Sequence, residues 1–213
     1  YLPQLYAFLV EWGVTVLLNP ISRYVIDPNR PPFQKIGDAY TTNCIYETTT
    51  SGEPMYAAPL TEVVRLERKR CYYDAYHQAL KQLLAEKKQR FSKVYFLDLH
   101  SYGMDTGSDA IIGTQFGQTC SAAYSTTLQT LLEQEGLRIA ENQPFAGGYL
   151  TKHYGADAQI EAAQIELSYA YYIDHRTFGR EAFPEICPAV FADAQQHLQL
   201  FFKNLLKEQM TCQ

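Results

Sequence analysis

At 213 residues the chain is long enough for one medium domain with a sizeable core. Its 46% hydrophobic and 19% charged content excludes a disordered or fibrous protein. A net charge of −5 argues against nucleic acid as partner, which selects basic stripes, and no apolar run approaches the ~20 residues of a membrane span.

The segment LPQLYAFLVEWG (2–13) repeats apolar residues at helical spacing and stops at Gly13, which predicts a helix. VTVLLNP (14–20) is β-branched and short, and reads as a buried strand. SRYVIDPNRPP (22–32) reads as a second extended piece ended by prolines. Residues 31–60, rich in Pro, Gly, Thr and Tyr, form a long irregular excursion of the kind that walls or covers a site. From 60 to 90 an amphipathic helix, broken once, carries Tyr73, Tyr76, Leu80, Leu83 and Leu84 on its apolar stripe. The mixed run RLERKR (65–70) within it reads as a solvated face.

Strands follow at KVYFLDL (93–99) and DAIIGT (109–114). A helix over 122–135 is stopped by Gly136, and LRIAEN (137–142) is a further strand. AGGYLTKHYG (146–155) reads as a glycine-rich loop, AAQIELSY (162–169) as a strand, and 189–208 as a closing helix. Strands separated by helices predict an α/β fold, a three-layer αβα sandwich around a mixed, largely parallel sheet, in a single domain spanning 1–213. Ligands of such sheets bind off the carboxyl ends of strands, so the chemistry is sought where strands stop.

Four sets of residues stand out. His100 ends one strand, with Asp98 two residues earlier on the same side. A neutral imidazole there can ligate zinc while the acid steadies it from behind, or it can be a buried histidine bonded to backbone. Glu166 is an acid inside an apolar strand, with Gln164 on its face. It can serve as general base for an attacking water, or form a salt bridge with a core arginine. Asn29 and Arg30, with Arg23 seven residues before Arg30, offer an amide and a guanidinium fork for a carboxylate; the alternative is a surface arginine paired with Asp27 or Asp38. His153 lies in a glycine-flanked loop that can close over a substrate or stand exposed. His77 lies on the helix stripe and reads as a core residue.

Gly-x-Ser-x-Gly, Walker, dinucleotide and HExxH motifs are missing from the sequence. Five scattered cysteines without CxxC spacing suit a reduced, cytoplasmic setting and offer no evident thiol nucleophile.

DPNR, DLHSYG and QIEL fall in an order that resembles the zinc carboxypeptidase superfamily. SRYVIDPNRPP, TTTSGEPMY, YYDAYHQAL, DAIIGTQFGQTC and GGYLTKHYG…AAQIELSYAYYID resemble its N-formylglutamate amidohydrolase branch, over nearly the whole chain. The resemblance implies a carboxypeptidase-like fold, Zn²⁺ as cofactor, His100 as a zinc ligand and Glu166 as catalytic base. It also implies that Asn29 and Arg30, with Arg23, bind a small acidic substrate, and that N-formyl-L-glutamate is cleaved to formate and glutamate, as in histidine breakdown. Family members carry a Pro-His-Ser-Gly-like segment on an N-terminal strand that this chain lacks; no histidine precedes residue 77 and none begins an HxxE. The expectation is that further metal ligands lie upstream of residue 1. The alternatives are a carboxypeptidase-like peptidase and a non-catalytic carboxylate-binding relative.

Overall fold

The computed structural model describes residues 1–32, 42–50, 52–179 and 184–211, the side chains of 210 and 211 excepted. In chain order the elements begin with two short helices, α1 (Leu2–Leu5) and α2 (Phe8–Glu11). Then come α3 (Glu62–Arg68), a π-helical turn (Lys69–Asp74) and α4 (Ala75–Arg90). β1 (Val94–Tyr102), β2 (Ala110–Gly113), α5 (Ala122–Gln134) and β3 (Ile139–Glu141) follow. The chain closes with α6 (Tyr149–Tyr154), β4 (Ile160–Ser168), α7 (Tyr169–Tyr172) and α8 (Pro188–Thr211). None of the described helices is long and apolar enough to cross a membrane. Two compact units result, one of Tyr1–Val16 with Phe91–Gln213, the other of Leu17–Arg90.

The larger unit holds a four-stranded sheet in the order β1-β4-β2-β3. β1 pairs parallel with β4 and β2 parallel with β3, while β2 and β4 run antiparallel. This is the mixed, largely parallel sheet expected of the α/β class. Alternation of side chains gives the sheet two different faces. On one, Leu97, Leu99, Ala163, Ile165, Leu167, Ala110 and Ile112 meet Leu5 and Phe8, the α5 residues Leu128 and Leu132, and the α8 residues Leu198 and Phe201. Several of these are wholly enclosed, and each full burial contributes roughly 1.5–3 kcal/mol. The other face carries Asp98, His100, Gln164 and Glu166, and α6 packs against β1 and β4, its Tyr154 ring against Phe96.

Gly113 makes the polar face possible. It sits beside Gln164 in the antiparallel pairing, and the 146–148 backbone crosses directly over it. A Cβ at Gly113 would lie 2.4 Å from Gly147 N, a clash with main chain and not with a movable side-chain tip. Overpacking of this kind costs about 1–3 kcal/mol, and at this chain length each kcal/mol lowers Tm by about 2–4 °C. Gly113→Ala should therefore lower Tm by about 5 °C in a thermal melt; an unchanged Tm would mean that the crossing segment yields freely.

The smaller unit contains the α3–π–α4 helix, which is one continuous helix with the single irregularity that the sequence suggests. Tyr73, His77, Leu80 and Leu84 form its buried stripe, so His77 is the core histidine expected.

Four local expectations differ from the structure. Residues 2–13 form two short helices and not one, parted at Tyr6–Ala7. VTVLLNP is not a strand: Val16 and Leu18 are 46% and 54% exposed, and without a neighbouring strand in the described residues a β-branched run has no ladder to join. SRYVIDPNRPP is a run of turns, because the Asp27 carboxylate accepts the Asn29 N–H at 2.8 Å and closes an Asx turn. The glycine-rich loop contains α6, entered from Gly148 and left at Gly155. Residues 33–41 and 51 of the 31–60 excursion, Asp38 among them, lie outside the described residues.

Candidate active site

On the polar face of the larger unit the strand register sets the chemistry. His100 lies directly beside Glu166, and Asp98 beside Gln164, at the carboxyl end of a parallel pair. Two apolar strands therefore present two acids, an imidazole and an amide to one patch, and each of these groups has identifiable support.

His100 Nε2 lies 2.8 Å from Asp98 Oδ1, so it is the nitrogen that carries the proton and donates to the carboxylate; in the neutral imidazole the lone pair is then on Nδ1. Asp98 is 8% exposed and His100 about a third exposed, so the acid is sheltered and the ring reaches outward. The bond fixes the orientation of the His100 ring relative to Asp98.

Glu166 is held by a relay of fixed polarity. Gly148 N–H donates to Gln164 Oε1 at 2.7 Å, which commits the other end of that amide: Gln164 Nε2 donates to Glu166 Oε1 at 2.7 Å. An amide pinned this way favours the ionised carboxylate and restrains its rotation. Tyr102, two residues beyond His100, donates to Ser108 O at 2.8 Å. Burial chiefly, with the charges of Asp109 and Glu166 adding, raises its phenol above the ordinary value, so it stays protonated.

His153 lies on α6, exposed, with its ring stacked on Tyr149 at 5.0 Å and 18° and edge-on to Tyr154. Cys120 is unsuited to nucleophilic work, because burial, then Glu161 and Glu141, push its thiol up to about 11.

In the smaller unit the DPNR turn gathers the other candidates. Asp27 is 5% exposed and is the hub. Its Oδ1 accepts the Asn29 N–H, and its Oδ2 accepts Arg23 Nη2 at 3.0 Å and the Tyr46 hydroxyl. Burial first and the Asp27 charge second hold the Tyr46 phenol far above its usual range, so it acts as a permanent donor. Arg23 also donates to Tyr46 Oη at 2.9 Å. Its guanidinium thus braces the turn from outside, while Arg30 is the fork that the turn carries. Arg30 Nη1 donates to Asn29 O at 2.9 Å, and its Nε is buried without a hydrogen-bond partner among the described residues. A buried donor left unmade costs about 1–3 kcal/mol, which a bound acceptor would recover. Asn29 itself is 6% exposed.

A catalytic zinc takes three protein ligands and keeps one position open. Among the described residues no group of three His, Cys, Asp or Glu converges on one point. On the polar sheet face they supply one imidazole, His100, and do not amount to a zinc centre.

The N-formylglutamate amidohydrolase family model matches residues 1–173. The chain belongs to that family. Two relatives named N-formylglutamate deformylase are similar to it. One, from Pseudomonas aeruginosa, is 31% identical over 189 residues, 83% of this chain and 71% of the relative. The other, from Pseudomonas putida, is 32% identical over 187 residues, 82% and 70%. Among solved structures, N-formylglutamate amidohydrolase from Ralstonia eutropha superposes with a TM-score of 0.81 at 24% identity, covering 98% of this chain and 81% of that one. A gene product of Agrobacterium tumefaciens superposes at 0.62 and 17% identity, covering 88% and 69%. These likenesses establish the family and the fold.

Sequence reasoning picked out Asp98, His100, Gln164, Glu166, Asn29, Arg30, Arg23 and His153, and missed their supports. The Gly148 N–H has no side chain to announce it. Sequence reasoning names Asp27 only as a partner for an arginine, the pairing that Arg23 makes, and does not single out Tyr46, although an Asp that can accept from the N–H two residues on is an Asx-turn signal.

Proposed function

We propose that this chain hydrolyses N-formyl-L-glutamate to formate and L-glutamate. The observation that carries the reading is the register that sets Glu166, with its orienting Gln164, beside His100 at the carboxyl end of β1 and β4. The names of the Pseudomonas relatives supply the substrate.

Glu166 takes a proton from the attacking water as its oxygen adds to the formyl carbon, and returns that proton to the amine nitrogen as the C–N bond breaks. Gln164 keeps the carboxylate aimed. Arg30 grips a substrate carboxylate through its fork, and Asn29 lies next to it in the same turn. Arg23 acts through Asp27, and His153 is a substrate contact. The cytoplasm is the compartment of this proposal, and free thiols such as Cys44 and Cys71 are compatible with it.

Zinc stays in the proposal as the cofactor that the family likeness implies, with His100 as its ligand from this chain. Two measurements test the reading. Formate release from N-formylglutamate, followed by a coupled assay, should exceed release from formylated apolar amino acids. Tight binding of N-formylglutamate without release would instead fit a carboxylate-binding relative. In equilibrium dialysis against zinc, followed by metal analysis, His100→Ala should hold less zinc than the wild type; equal zinc in both would remove His100 as a ligand.

A further inference from the structure

Three side chains of one helix donate to three carbonyls of the turn that carries Arg30. Arg68 Nη1 reaches Val25 O at 3.1 Å, His77 Nε2 reaches Pro28 O at 3.1 Å, and the Tyr73 hydroxyl reaches Arg30 O at 2.9 Å. A carbonyl cannot donate, so the proton of the His77 contact sits on Nε2.

These donors come from α3, the π turn and α4 in succession, at spacings of five and four residues. In an unbroken α-helix residues five apart are rotated by about 140° and do not share a face. The widened turn over Lys69–Asp74 brings residue i+5 under residue i, which puts Tyr73 on the same side as Arg68; His77 then follows at the ordinary i+4. Tyr73 and His77 are both buried, with ring centroids 4.3 Å apart, so each donor is held by packing as well as by its bond. Within the turn itself, Asp27 holds the Asn29 N–H. The backbone from Val25 to Arg30 is thus fixed by side chains at four points.

We infer that Tyr73 and His77 are positioning residues for substrate recognition: the π turn exists to aim the Arg30 guanidinium, and these two donors transmit its geometry to the turn. This rests on the reading of Arg30 as the carboxylate grip. Neither side chain takes part in bond making; each sets where the fork points. A hydrogen bond of this kind is worth about 0.5–1.5 kcal/mol net, which is about a twofold to tenfold effect.

Steady-state kinetics on the whole chain with N-formylglutamate tests this. Tyr73→Phe keeps the ring stack and deletes one donor; His77→Gln can still donate to Pro28 O, whereas His77→Leu cannot. Tyr73→Phe and His77→Leu should raise KM about fivefold to tenfold with kcat within about twofold, and His77→Gln should recover most of the loss. In a cycle with Arg30→Ala, Tyr73→Phe should add no further rise in KM, because the group it aims is gone. Additive losses, a fall in kcat at constant KM, or an unchanged KM with a lowered Tm would each overturn the inference while leaving the deformylase reading in place. Should His77→Leu fail to fold, Tyr73→Phe and its cycle still decide the matter. A wild type that releases no formate would sink the parent reading, and this inference with it.

Discussion

Glu166→Gln should leave folding and substrate binding intact and lower kcat on N-formylglutamate by about 10²–10⁴-fold, the usual contribution of a general base. The exchange is isosteric, and its amide oxygen can still accept from Gln164 Nε2, so the relay from Gly148 survives in form. What disappears is a group able to take the proton of water. Calorimetric titration with N-formylglutamate should give a Kd close to that of the wild type, and the melting temperature should stay within a few degrees. A variant that keeps its turnover would remove Glu166 from the chemistry and return it to the structural role of a tethered acid in a strand.

Arg30→Ala is expected to raise KM for N-formylglutamate by about 10²-fold with a smaller change in kcat. Hydrogen bonds to charged groups contribute about 1.5–3 kcal/mol, and 1.4 kcal/mol is a factor of ten in affinity. Stability should change little, because the lost bond to Asn29 O is offset by removal of an Nε donor that has no partner among the described residues. Arg30→Lys should recover only part of the loss: an ammonium keeps the charge but not the planar two-bond fork. Asn29 should stay in place in both variants, because Asp27 still accepts its N–H after the Arg30 bond to Asn29 O is lost or altered. An unchanged KM in Arg30→Ala would separate this turn from substrate recognition altogether.

The legible parts of this chain are those governed by short-range rules. The helix over 62–90 follows from its apolar stripe. α5 follows from the Ser121 cap and the Gly136 stop, at φ 84°. VTVLLNP misled because β propensity measures fit to a pleated, half-buried surface, and the described residues give that segment no such surface. SRYVIDPNRPP misled for the opposite reason, since a single side-chain acceptor at Asp27 outweighs an extended tendency set by prolines.

The candidate site divides in the same way. A strand period of two is a property of the local chain, and by itself it places Asp98 with His100, and Gln164 with Glu166, each pair on one face of its own strand. That β1 and β4 are neighbours, parallel, and in the register that sets His100 beside Glu166 depends on pairing between segments more than sixty residues apart, which no local pattern encodes. The same holds for the carbonyls of Val25, Pro28 and Arg30. Backbone acceptors look alike at every position, and only the folded helix, widened by its π turn, decides which of them receive the protons of Arg68, His77 and Tyr73.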